Sequence, residues 1–165
     1  MSHAWKACAL VALLSACDPV HASAVSALGG EAPGVRTGPL HRPGQPCLLC
    51  HDGALGDPQA FSVAGTVFQH PEDRVPVDGA TVSLTDVSGG SYSARTNAAG
   101  NFYVTTGQWS PRYPMIVKVS AGGTTAAMNT LIGEQGACGG CHVDPAGSSS
   151  PGHVSLELAD GGTPP

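Results

Sequence analysis

The stretch Thr81-Val82-Ser83-Leu84-Thr85 decides the fold. Apolar and hydroxyl side chains alternate along it, and a period of two is the signature of a strand with one face buried. The same pattern recurs on both sides. Phe61, Val63, Gly65 and Val67 alternate with Ser62, Ala64 and Thr66. Tyr92, Ala94 and Thr96 follow the turn at Ser88-Gly89-Gly90, and Phe102, Val104 and Thr106 follow the turn at 97–101. Met115, Val117 and Val119 then alternate with Ile116, Lys118 and Ser120. Short strands at regular spacing, separated by Gly/Asn turns, predict an all-β protein built on a small antiparallel β-sandwich over 61–121.

Composition agrees with this. Charged residues are 12% of the chain, against about 25% in typical soluble domains. With 23 Gly and 14 Pro, long amphipathic helices are not expected. The formal net charge of −5 and the absence of a basic patch exclude nucleic acid as a partner.

Outside the strands stand two pentapeptides of one design, Cys47-Leu48-Leu49-Cys50-His51 and Cys138-Gly139-Gly140-Cys141-His142. C-x-x-C-H is the signature of covalent c-type haem attachment. Two thiols at this spacing reach the two vinyl groups of one porphyrin, and the adjoining His supplies the proximal iron ligand. The pattern predicts two covalently bound haem c groups, held by Cys47, Cys50, Cys138 and Cys141, with His51 and His142 as proximal ligands. Pro43, Pro46 and Pro58 limit the first motif to about one helical turn. Four of the six Cys are thereby assigned. Candidates for the sixth ligands are His41 and His153, both in Pro/Gly-rich segments beside the motifs, followed by His70 and Met128.

The remaining Cys, Cys8 and Cys17, lie at the N-terminus. Ala7 to Ala16 is an apolar run too short to span a bilayer, for which roughly 20 residues are needed, but fitting the core of a secretory signal. Leu14-Ser15-Ala16-Cys17 resembles a bacterial lipobox, which implies a lipid on Cys17. Ala22-Ser23-Ala24 offers an ordinary cleavage site as the alternative. Either exit sends the chain to the periplasm or cell surface, where c-type haem is attached. The lipid would tether it to a membrane surface.

The expected layout is a signal over 1–16, a flexible tether over 17–40, a first haem segment over 41–60, the β-domain over 61–121, and a second haem segment over 122–165. The last contains a short helix near Ala126–Leu131 and a returning strand at Val154, Leu156 and Leu158.

Val63-Ala64-Gly65-Thr66-Val67, Pro76-Val77-Asp78-Gly79-Ala80-Thr81-Val82-Ser83-Leu84 and Thr96-Asn97-Ala98-Ala99-Gly100-Asn101-Phe102 together resemble the carboxypeptidase regulatory-like domains of the transthyretin-like sandwiches. That resemblance implies a scaffold fold without catalysis. The paired motifs resemble those of dihaem c-type cytochromes. This implies a non-enzymatic electron carrier whose partners are redox proteins or a terminal acceptor, with homo-oligomers or haem-stacked filaments as a further possibility. Two alternatives compete. One is a dihaem peroxidase, for which Asp52 beside His51 has no counterpart, since Val143 follows His142. The other is a structural or adhesive module whose Cys pairs bind zinc.

Overall fold

A computed structural model of the chain describes residues 18–31, 33–53 and 59–158. The expected secretory signal and lipobox, with Cys8 and Cys17, and Pro58 lie outside the described residues. Two compact units are distinguished, 1–30 and 31–165.

In the first unit, helix α1 spans Pro19–Ala27. The carboxylate of Asp18 caps it, accepting from the N–H groups of Val20 (3.0 Å) and His21 (3.1 Å). Pro19 occupies the first turn, where a missing N–H costs nothing. This helix corrects the expectation of an irregular tether throughout 17–40. Its apolar residues show no stripe, but its cap does not need one.

The second unit is the expected sandwich. One sheet has the order β4-β1-β7 and the other β3-β2-β5-β6. The strands are β1 (Phe61–Thr66), β2 (Thr81–Asp86), β3 (Ser91–Arg95), β4 (Asn101–Thr105), β5 (Met115–Ala121), β6 (Thr124–Ala127) and β7 (Gly136–Ala137). All pairings between these strands are antiparallel except β1 with β7, which is parallel. Between the sheets, Val63, Phe102 and Val104 of the first pack with Val82, Leu84, Val117 and Val119 of the second. Each such fully buried side chain contributes about 1.5–3 kcal/mol.

Three details depart from the sequence pattern. A bulge between Phe61 and Val63 shifts the register of β1. The ring of Phe61 therefore stacks on Tyr103, on the outer face, instead of joining Val63 in the core. In place of the helix expected near Ala126–Leu131, Ala126 and Ala127 belong to strand β6 and 128–131 are irregular. The β-branched Thr124 and Thr125 of β6 pair along the free edge of β5, and the N–H of Met128 extends the ladder to the carbonyl of Val117 (3.0 Å). Edge pairing outweighs the helix propensity of the two alanines. The returning segment is shorter than expected, a parallel bridge from Ser155 to Phe68 that drops Leu156 into the core.

The outer face of β1 is covered by the segment before the first motif. The N–H of Gly44 donates to the hydroxyl of Thr66 (2.8 Å), which in turn donates to Asn101 Oδ1 (2.7 Å). Asn101 Nδ2 donates to the carbonyls of His41 (2.9 Å) and Pro39 (3.3 Å). Residues 39–44 are thus fastened to the sandwich by side chains of β1 and β4. Among the described residues no helix is long and apolar enough to cross a membrane.

Candidate haem sites

Each C-x-x-C-H motif folds as a single 3-10 turn, Cys47–Leu49 and Cys138–Gly140. The two turns are near replicas. The N–H groups of Cys50 and His51 donate to the carbonyl of Cys47 (3.2 and 3.0 Å), and those of Cys141 and His142 donate to that of Cys138 (3.2 and 2.9 Å). In each, the first thiol is turned inward and the second is exposed.

The turns also pack against one another. β7 leads directly into the second and pairs with β1, while the first also contacts β1. Gly139 fits against the backbone just before Cys47. A Cβ built there would stand 2.7 Å from the carbonyl oxygen of Gln45 and 3.0 Å from the nitrogen of Pro46. On the core side, Cys138 sits on Gly65, where a Cβ would meet its Cβ at 2.7 Å and its Sγ at 3.0 Å. Two glycines therefore make room for the close approach. Burial pushes the Cys138 thiol up to about 12, with the neighbouring Cys47 adding to the shift. Burial raises Cys47 as well.

The second motif opens on an apolar cleft between β4 and β7 on one side and β5 and β6 on the other. Cys138, Cys141 and His142 line it together with Phe102, Val117, Val119, Met128, Ile132 and Val154. His142 is oriented by its surroundings. Its Nδ1 lies 2.9 Å from the carbonyl oxygen of Gly152. A carbonyl can only accept, so the bond puts the proton on Nδ1 and leaves the Nε2 lone pair free for a metal. Ser150, which is 4% exposed, holds the two loops in register. Its hydroxyl accepts from the N–H groups of Val143 (3.0 Å) and Gly152 (3.1 Å). Its single proton is shared between the carbonyls of Cys141 (2.9 Å) and Val143 (2.7 Å).

At the first motif, His41 and His51 are brought together. Their ring centroids are 5.9 Å apart and the rings are tilted by 30°. The two imidazoles would be the residues to hold an iron at this motif. His51 also stacks on Phe61 (4.4 Å), which extends to Tyr103 as an aromatic column. The Nδ1 of His41 faces the N–H of Gly38 (3.5 Å) and the carboxylate of Glu31 (3.7 Å). Glu31 is fixed in turn by Arg42 Nε (3.0 Å).

The other candidates are dispersed. His153 is buried, with its ring 4.6 Å from that of Phe68 and its Nδ1 held by the carbonyl of Asp73 (2.9 Å). Its Nε2 faces Gly44, not the cleft of the second motif. His70 is exposed in a turn, its N–H capped by Asp73 Oδ1 (3.3 Å). Met128 lines the cleft beside His142. Among the described residues no three His, Cys, Asp or Glu side chains converge as they would around a bare metal ion. A porphyrin iron asks for less, because four of its ligands belong to the macrocycle.

The donor set fits covalent haem at both motifs: an inward and an outward thiol on one turn, an adjoining imidazole, and apolar or aromatic walls. Sequence reasoning missed the supporting residues Asn101, Thr66 and Ser150. Each is an ordinary polar residue whose role appears only once its partners are adjacent. Comparison with protein-family models, with curated proteins and with solved structures found no match, so the chain's own residues carry the functional reading.

Proposed function

We propose that this chain is an extracytoplasmic dihaem c-type cytochrome that transfers electrons between redox partners. The observation that carries the proposal is the direct packing of two matching C-x-x-C-H turns beside β1, with Gly139 seated on Gln45 and Pro46. In this reading Cys47, Cys50, Cys138 and Cys141 hold the two groups, and His51 and His142 bind the irons. When bound, haem supplies a one-electron couple at each motif. The chain's own part is positional. The sandwich holds the two attachment turns together, the Gly152 carbonyl orients His142, and the apolar cleft excludes water from one side. The domain is then a scaffold, in keeping with its resemblance to carboxypeptidase regulatory-like sandwiches.

A zinc module is less well supported, because the four thiols do not share a site among the described residues. Export and lipid attachment at Cys17 remain part of the proposal on sequence grounds. Redox proteins or a terminal acceptor are the proposed partners.

The test is expression of the full chain in a host able to ligate haem. The expected product is red. Its mass is that of the polypeptide plus two haems, and a pyridine haemochrome count gives two per chain. Colourless protein with four titratable thiols at these positions would sink the reading.

A further inference from the structure

The two iron sites differ in the side chains the fold brings to their open faces. The first motif has His41 within 5.9 Å of His51, ring centre to ring centre. The second has no imidazole besides His142 among the residues lining its cleft. It has Met128, whose thioether is a recognised iron ligand.

Building outward from the backbone makes Met128 specific. Its N–H is tied to the carbonyl of Val117 at 3.0 Å, so its Cα is fixed at the end of the β5-β6 ladder. Along this ladder Thr124 and Ala126 are half-buried while Thr125 and Ala127 are exposed. Met128 continues the half-buried side and so reaches the cleft. A flexible, unbranched side chain at this fixed point can follow an iron that His142 holds from the other side. The other two candidate histidines are held elsewhere, His153 by Asp73 and Phe68, and His70 in an exposed turn.

Resting on the dihaem reading above, we infer that Met128 is the sixth ligand of the second haem, opposite His142, and that His41 is the sixth ligand of the first, opposite His51. The two haems are then electrochemically unequal. A Met/His pair raises the reduction potential relative to a pair of imidazoles. The surroundings act in the same direction. The apolar walls of the second cleft disfavour the extra positive charge of an oxidised iron. Loaded with haem, the second motif would be the site of higher potential.

The experiment uses the full chain matured with both haems, as wild type, Met128→Leu and Met128→His. Mass and haemochrome count come first; a chain that carries no haem overturns both this inference and the function it rests on. With two haems bound, the oxidised wild type is expected to show the long-wavelength sulfur-to-iron charge-transfer band at the intensity of one haem. Met128→Leu is expected to lose the band and to turn one haem of the two high-spin and able to bind carbon monoxide. Met128→His is expected to keep both haems low-spin while one midpoint potential falls and the other stays. It also covers the case in which the leucine variant does not fold. Two haems whose spectra and midpoints are the same in wild type and both variants would overturn the Met128 assignment and leave the dihaem function standing.

Discussion

Replacing Gly139 by Ala tests the central packing claim, because its neighbour is a built-in control. A Cβ at 139 would stand 2.7 Å from the carbonyl oxygen of Gln45, 2.8 Å from its carbon and 3.0 Å from the nitrogen of Pro46. All three are backbone atoms, so no rotamer change relieves the clash, and one of the two turns has to move. Overpacking of this kind costs about 1–3 kcal/mol. The loss of glycine's freedom in the unfolded chain returns about 0.4–1 kcal/mol. The net expectation is a destabilisation of about 1–2 kcal/mol. At Gly140 the nearest atom to a built Cβ is the Cβ of Ala137 at 3.9 Å, an ordinary contact. Gly140→Ala is therefore expected to be neutral or to stabilise by up to about 1 kcal/mol. Neither substitution touches a thiol or an axial ligand, so both proteins should carry the same haem content. Urea unfolding followed by far-UV circular dichroism gives both numbers, with equal slopes showing that the unfolded states are comparable. Equal midpoints for the two variants would refute the claim that the turns are in backbone contact through Gly139.

Three further outcomes are expected. Ser150→Ala removes the one group that accepts from Val143 and Gly152 and donates toward Cys141 and Val143. It should cost about 1–3 kcal/mol and loosen the carbonyl that orients His142, visible as broadened resonances of that imidazole and not of His41. In haem-free protein, Cys138 keeps its proton up to about pH 12 when folded, against 9.0 ordinarily. The folded form then binds the extra proton, so the contribution of this group is complete below pH 9.0 and lost as pH rises toward the folded value. Stability of the haem-free chain should thus fall above pH 9.0, and Cys138→Ala should flatten that limb. Thioether formation removes the proton, so the limb should be missing from the haem-bearing protein. Asp86 titrates in the opposite sense. Bonds from the Ser88 hydroxyl and then from the Arg112 N–H, with those of Gly90 and Ser88, hold its carboxyl below the ordinary 3.8. Its contribution is complete above about pH 5 and lost as pH falls through the depressed value. Asp86→Asn is expected to lower the melting temperature at neutral pH and to shallow its decline below about pH 4; parallel curves for the two proteins would contradict this.

Much of this molecule was legible along the chain. Strict alternation at Val82/Leu84 and Val117/Val119 is a local property, because a strand exposes its two faces by turns whatever it later pairs with. The C-x-x-C-H turns were equally plain, since a spacing of three residues brings two thiols onto one turn. The cap of α1 is also written in Asp18-Pro19, although the helix carries no apolar stripe. Other features were not local at all. Whether Ala126 and Ala127 became helix or strand depended on the free edge of β5. Which way Phe61 pointed depended on a single bulge opposite Thr105. His41, six residues before Cys47, could be proposed as a ligand from the chain, but its nearness to His51 required Asn101, some sixty residues on, to hold its backbone. Met128 ranked low in one dimension because nothing near it in sequence suggests iron. It lies in the cleft because β6 folds back on β5, and pairing between distant segments is set by the whole sheet and not by any one of them.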